Sequence, residues 1–181
     1  MHGTENPSAW LQRWTHLIPP QSRVLDVACG AGRHMRWLAS HGHTVLGVDR
    51  HAEAVALARA HGDVVCADIE NGPWPFAGQT FGCVVVTHYL WRPLWPHIVQ
   101  AVAPGGLLIY ETFAAGNETV GKPSRPDFLL QPGELLQATR GLRTVAYEDG
   151  FESHPERFVQ RIVAVRAEYG ASPLRFPLSA N

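Results

Sequence analysis

The sequence predicts an α/β domain with a doubly wound, mainly parallel sheet, and three observations carry that reading. Val24-Leu25-Asp26-Val27-Ala28 is a short, apolar, β-branched run that passes through Cys29-Gly30-Ala31-Gly32 directly into a helical pattern at Arg33 to Ser40. Further strand patterns then alternate with short helical ones, the rhythm of βαβ units. Three successive strands also carry acids at corresponding places, Asp26, Asp49 and Asp68, and ligands of open α/β sheets bind beyond the strand carboxyl ends. At 181 residues the chain fits one domain, read as an N-terminal helix or lid (1–20), a core (21–168) and a tail (169–181).

In chain order, Ser8 is placed to cap a first helix in which Trp10, Leu11, Trp14 and Leu17 form one apolar stripe, ended by Pro19-Pro20. That helix either packs over the sheet or covers a ligand. Two glycines after strand one let the chain turn sharply, and the free amides of the following helix suit a negative group. Gly42 closes that helix before strand two, Thr44 to Asp49. A helix from His51 to His61 leads to strand three, Val64 to Asp68, and Gly72 to Phe76 is a rigid connector. Phe81 to Val86 is strand four, with Thr87-His88-Tyr89 at its carboxyl end. Leu94, Ile98 and Val102 share one helical face, and the turn Ala103 to Gly106 opens strand five, LLIYET. The segments 141–148 and 157–166 read as strands six and seven joined by a turn-rich loop, and Ala171 to Asn181 as a loosely attached tail.

The glycine turn and Asp49, an acid suited to a pair of ribose hydroxyls, describe an adenosyl-ligand pocket for NAD, FAD or S-adenosylmethionine. The dinucleotide fingerprint wants a third glycine where this chain has Met35. DVACGAGRH resembles the first motif of class I S-adenosylmethionine-dependent methyltransferases: Gly30 and Gly32 match, while Ala28 and Cys29 stand where a first glycine is often found. Asp68-Ile69 is similar to that family's adenine contact. FGCVVV is similar to its fourth motif, with Gly82 in place of the usual aspartate, and APGG to its turn before strand five. The resemblance spans Val24 to Ala167. It implies a Rossmann-like methyltransferase fold with a seven-stranded, mainly parallel sheet closed by an antiparallel hairpin. It also implies S-adenosylmethionine as cofactor and S-adenosylhomocysteine as product, held by Asp26, Ala28, Cys29, Gly30, Ala31, Gly32, Arg33, Asp49, Arg50, Asp68, Ile69 and Thr87. In that arrangement the amides of Gly30, Ala31 and Gly32 face the amino-acid end, Asp26 meets the ammonium and Arg33 the carboxylate. Asp49 takes the ribose, and Asp68 with Ile69 the adenine.

The expected function is therefore methyl transfer to an unidentified small-molecule acceptor. A non-catalytic module that binds S-adenosylmethionine and an NAD-dependent oxidoreductase are the alternatives. Small size and the VLDxxCGxGRH opening resemble tellurite-resistance-type and other small-molecule methyltransferases, but no residue selects tellurite, a thiol or an oxygen acid. The acceptor candidates are His88, Tyr89 and Trp91 after strand four, with Glu111, Asn117, Lys122 and Arg125 in the long loop after strand five. His88 is the one candidate base, since imidazole titrates near neutral pH; a satisfied structural histidine is its other reading. A net charge of −1 gives no electrostatic case for nucleic acid or a membrane surface. Cys29, Cys66 and Cys83 are too scattered for a disulfide framework, and His41 and His43 lack a third ligand, so no metal is expected. No leader pattern opens the chain and no apolar run has membrane-spanning length, which predicts a cytoplasmic protein; oligomeric state stays open.

Overall fold

The computed structural model describes residues 6–168 and 175–180. Its single sheet holds seven strands: β1 (Arg23–Val27), β2 (Thr44–Asp49), β3 (Asp63–Cys66), β4 (Phe81–Thr87), β5 (Val102–Phe113), β6 (Arg143–Ser153) and β7 (Glu156–Val165), in the order β3-β2-β1-β4-β5-β7-β6. The pairs from β3 through β5 are parallel, and β7 runs antiparallel to both β5 and β6. This is the expected fold. β1 is flanked by β2 and β4, so the winding reverses beside it, and a crevice opens where the strands end.

Strict alternation along the buried strands divides the core into two layers. Val84 and Val86 face one side with Leu25, Val27, Leu108 and Tyr110, where helices α4 (Trp95–Gln100) and α5 (Glu134–Ala138) add Ile98 and Leu135. Cys83 and Val85 face the other with Val24, Leu107 and Ile109, covered by α1 (Ala9–Trp14) and α2 (Arg33–Ser40) through Trp10, Leu11, Trp14, Met35 and Leu38. The Ser8 hydroxyl caps α1, accepting from the Trp10 and Leu11 amides, and Trp10 Nε1 donates to the Ile162 carbonyl at 3.3 Å.

Met35, the bulky residue that departs from the dinucleotide pattern, is fully buried. Its sulfur and that of Cys29 fill the space above Gly47 of β2, where a Cβ would lie 2.7 Å from each. The strand gives up its side chain so that the turn and helix can carry theirs.

Several boundaries differ from expectation. β3 ends at Cys66, so Asp68 sits in the loop beyond it, and helix α3 (Ala52–Ala58) stops before His61. β5 starts at Val102 and takes in the APGG turn, with a register shift against β4. β6 and β7 meet across His154-Pro155, where a turn-rich loop was expected, because the ladder continues to the Ser153–Glu156 pair. In the expected loose tail, Phe176 packs on the core beneath the Arg143 guanidinium and His16 Nε2 meets the Pro177 carbonyl at 2.9 Å, while the other described tail residues are exposed. Residues 169–174 and 181 lie outside the described residues.

Candidate active site

Three adjoining recesses lie along the carboxyl edge of the sheet. The first, ≈ 180 Å³, is bounded by Ala28, Asp49, Arg50, Asp68, Ile69 and Tyr89 among others. The second, ≈ 360 Å³, lies over the glycine turn between Ala28, Gly30, Arg33, His34, Thr87 and His88. The third, ≈ 260 Å³, is walled by Leu90, Phe113, Pro123 and Phe128, with Glu70, His88, Tyr89 and Thr112. Ala28 is shared by the first two, His88 by the second and third, and Glu70 and Tyr89 by the first and third.

The turn that builds the first two recesses is held by backbone strain and one carboxylate. Ala28 adopts φ 55°, a left-handed conformation that costs a non-glycine residue about 1–2 kcal/mol. Gly32 (φ 84°) packs so closely on α3 that a Cβ would lie 3.0 Å from Ala58 Cα. Asp49 Oδ2 accepts the Gly30 N–H and Oδ1 the His51 N–H, both at 2.9 Å. The expected presentation of three turn amides to a ligand is thereby altered: Gly30 N–H is directed to Asp49, and Gly32 N–H to the Cys29 carbonyl at 3.0 Å. A carboxylate offers about four lone-pair sites, so Asp49, braced twice, keeps acceptor capacity toward the recess. Asp68 is exposed and caps its own loop, accepting from the Glu70 and Asn71 amides and from Asn71 Nδ2; these bonds, that of Nδ2 foremost, hold its carboxyl below the usual range.

Asp26 lies beneath the turn, 1% exposed, and neither carboxylate oxygen has a hydrogen-bond partner. Burial pushes its carboxyl up to about 8, against a smaller opposing pull from Arg33. The nearest base, His34, has Nδ1 4.0 Å away, and its imidazole is pushed down to about 3 by burial and by the neighbouring Arg33. A neutral His34 faces Thr87 Oγ1 at 3.2 Å. Burial also raises the Cys29 thiol, which removes it as a nucleophile.

His88 stands at φ 53°, its N–H donating to the Glu111 carbonyl at 2.9 Å. Arg33 approaches its Nδ1 at 3.2 Å, Arg157 its Nε2 at 3.1 Å, and Phe113 lies 5.0 Å from the ring. Behind it runs a buried ionic network. Glu111 accepts from the Ser8 hydroxyl at 2.9 Å and from Arg161 Nη1 at 3.1 Å, while Glu152 pairs with both Arg157 and Arg161.

Of the expected acceptor residues, only His88 and Tyr89 border the third recess. Glu111 is committed to its network. Asn117 is 1% exposed and pins the loop, donating to the Pro123 carbonyl at 2.9 Å and accepting the Phe158 N–H at 3.1 Å. Trp91 packs half-buried on the core, Lys122 is exposed, and Arg125 pairs with Asp127 at 3.0 Å over the Phe128 ring. His34, Glu70, Phe113 and Phe128 were not foreseen. The two phenylalanines flank the very loop that the sequence singles out, so apolar residues at its ends were the available signal. Among the described residues no cluster suited to a metal is present, and no helix is long and apolar enough to cross a membrane.

Residues 24–106 match a family described as a methyltransferase domain. The chain is similar to 24-methylenesterol C-methyltransferase 2 of Oryza sativa subsp. japonica, 28% identical over 154 residues covering 74% of this chain and 42% of that protein. It is also similar to the ubiquinone biosynthesis O-methyltransferase of Burkholderia pseudomallei, 28% identical over 117 residues covering 58% and 49%. The chain thus spans about half the length, or less, of these curated relatives. TehB from Haemophilus influenzae superposes with a TM-score of 0.69 at 16% identity, covering 84% of this chain and 59% of that one. An S-adenosylmethionine-dependent methyltransferase from Mesorhizobium loti gives 0.67 at 20% identity, covering 84% and 95%. These two likenesses are of fold.

Proposed function

We propose that this chain is a class I S-adenosylmethionine-dependent methyltransferase, a reading its matched domain and its sheet support, and that it transfers a methyl group to a small acceptor seated against His88 and Tyr89. The observation that carries the proposal is the meeting of three recesses at those two residues: a place for the adenosyl half, one for the amino-acid half and one for a second molecule.

The residues suit the cofactor. Asp26 is an acid with both oxygens orphaned under the turn, a costly arrangement unless a cationic group arrives to share it. Arg33 supplies a cation for a carboxylate on the same recess, with Cys29, Ala31 and Thr87 completing its walls. Asp49 is fixed to accept ribose hydroxyls, with Arg50 beside it, and Ile69 and Asp68 would hold the adenine face and edge. When bound, S-adenosylmethionine supplies an electrophilic methyl on a sulfonium. The protein's part is to align a nucleophile with it and exclude water, which supplies up to about 7–11 kcal/mol of barrier reduction in ideal cases.

We read the chain as one domain (1–181) working in the cytoplasm on a small molecule. The buried, unpaired thiols of Cys29 and Cys83 suit a reducing compartment, and the near-neutral charge suits neither nucleic acid nor a lipid surface. Calorimetric titration with S-adenosylmethionine, S-adenosylhomocysteine and NAD tests the cofactor: both adenosyl sulfur ligands should bind and NAD should not. Binding of NAD alone would reverse the reading. Turnover against acceptors of several classes separates an enzyme from a binding module.

A further inference from the structure

We propose that the acceptor is a small neutral amine on an apolar ring, methylated at nitrogen; this rests on the methyltransferase reading above. The third recess shows what it would recognise. Its walls carry three aromatic rings, Tyr89, Phe113 and Phe128, and one formal charge, the Glu70 carboxylate. Among the described residues, no lysine or arginine lines it. Glu70 is partly compensated by Arg50 at 3.5 Å, and the Arg125 guanidinium 5.2 Å from the Phe128 ring is answered by Asp127 at 3.0 Å. Aromatic faces and a carboxylate stabilise positive charge and penalise an anion on the Glu70 side of the recess, while Arg33 and Arg157 stand behind His88 on the other.

The base side of the chemistry agrees. A neutral imidazole has one acceptor nitrogen, and guanidinium groups only donate, so that lone pair is taken by Arg33 at Nδ1 (3.2 Å) or by Arg157 at Nε2 (3.1 Å), with Glu111 Oε1 3.9 Å from Nε2. An imidazole held in that way is a positioning residue, and an acceptor that needs deprotonation before attack finds no free base in it. A neutral amine needs none. Its nitrogen lone pair forms the new N–C bond while the S–C pair stays on sulfur, so the positive charge passes from sulfonium to ammonium. One N–H proton then leaves to the Glu70 carboxylate or to water. In size, ≈ 260 Å³ suits a substituted single ring or a fused pair, since a cavity of about 150 Å³ holds benzene.

The test uses two probes of one shape in the presence of saturating S-adenosylhomocysteine: phenyltrimethylammonium, which mimics the charged product, and neutral tert-butylbenzene. The cation should bind at least about tenfold more tightly, and Glu70→Gln should remove most of that preference. In turnover, aniline, which is neutral at pH 7, should yield N-methylaniline, while phenol, thiophenol and benzoate remain unmethylated. Equal or reversed probe preference, binding of neither probe, or product only from phenol or thiophenol overturns the amine assignment and leaves the methyltransferase reading intact. Failure to bind S-adenosylhomocysteine at all takes down both.

Discussion

The two halves of the sheet's carboxyl edge hold their polar groups by opposite means. In the half formed by β1, β2 and β3, acids grip backbone amides 2 to 19 positions away: Asp49 holds Gly30 and His51, and Asp68 holds Glu70 and Asn71. In the half formed by β5, β6 and β7, side chain meets side chain across long sequence distances. Ser8 reaches Glu111 over 103 positions, Arg157 reaches His88 over 69, and Arg161 reaches Glu111 over 50. Arg92 works alike, binding both Glu134 oxygens at 2.6 and 2.9 Å and the Asp127 and Leu129 carbonyls, which fixes the segment bearing Phe128. On the proposed reading, one half is a set of turns that could hardly be altered without losing the cofactor, and the other is a scaffold whose acceptor wall can be retuned from a distance.

Breaking the long-range half should give the largest effect on stability. Glu111→Ala removes the bonds to Ser8 and Arg161, charge-assisted bonds of about 1.5–3 kcal/mol each, while Glu148 and Glu152 still hold Arg161, and should cost about 2–4 kcal/mol in urea unfolding. A cost below about 1 kcal/mol would mean that the network is solvent-screened and the contrast false. Asp49→Ala should act on the other half. It loses charge-assisted bonds of about 1.5–3 kcal/mol each, weakening S-adenosylhomocysteine about 100-fold by calorimetry while the fold persists.

The contrast also explains what could be read beforehand. The half proposed for the cofactor was legible because glycines and acids recur beside strand ends, as around β1 and β2. The half proposed for the acceptor was not. Asn117 and Arg125 have the same composition whether they face a substrate or, as found, a carbonyl and a surface carboxylate. Glu70 follows a recognisable Asp-Ile pair, yet nothing local says that it borders a second recess.

A pH test sharpens the contrast further. The Asp26 carboxyl lies at about 8 in the fold against 3.8 as its ordinary value. Between those values the native state keeps a proton that the unfolded chain has lost, so Asp26 lowers stability as pH rises through that range. Asp26→Asn should therefore stabilise the ligand-free protein more at pH 8 than at pH 5, with a gain of at least ~1 kcal/mol, about 2–4 °C in Tm. The same variant should bind S-adenosylmethionine more weakly. Equal gains at both pH values would show that the carboxylate is ionised throughout.

Within the turn, Gly32→Ala should be the costlier of the two glycine changes. Both positions have positive φ, a strain of about 1–2 kcal/mol, but only at Gly32 does the new methyl also meet Ala58 at 3.0 Å, while at Gly30 it enters open space. Equal Tm losses would remove the packing argument. Arg125→Ala should change nothing measurable, because its pair with Asp127 is exposed on both sides. A fall in acceptor turnover would return Arg125 to the site.

The strand order has a consequence for the chain as it is synthesised. β7 is the last strand to be made, yet it lies inside the sheet, between β5 and β6. Until it appears, β5 has an open edge and β6 has no neighbour. The first helix waits just as long, for Trp10 needs the Ile162 carbonyl and Glu111 needs Arg161. The glycine turn can therefore assemble on a nascent chain, whereas the wall proposed for the acceptor closes only with β7, and a protein cut short before residue 156 should aggregate through its β5 edge.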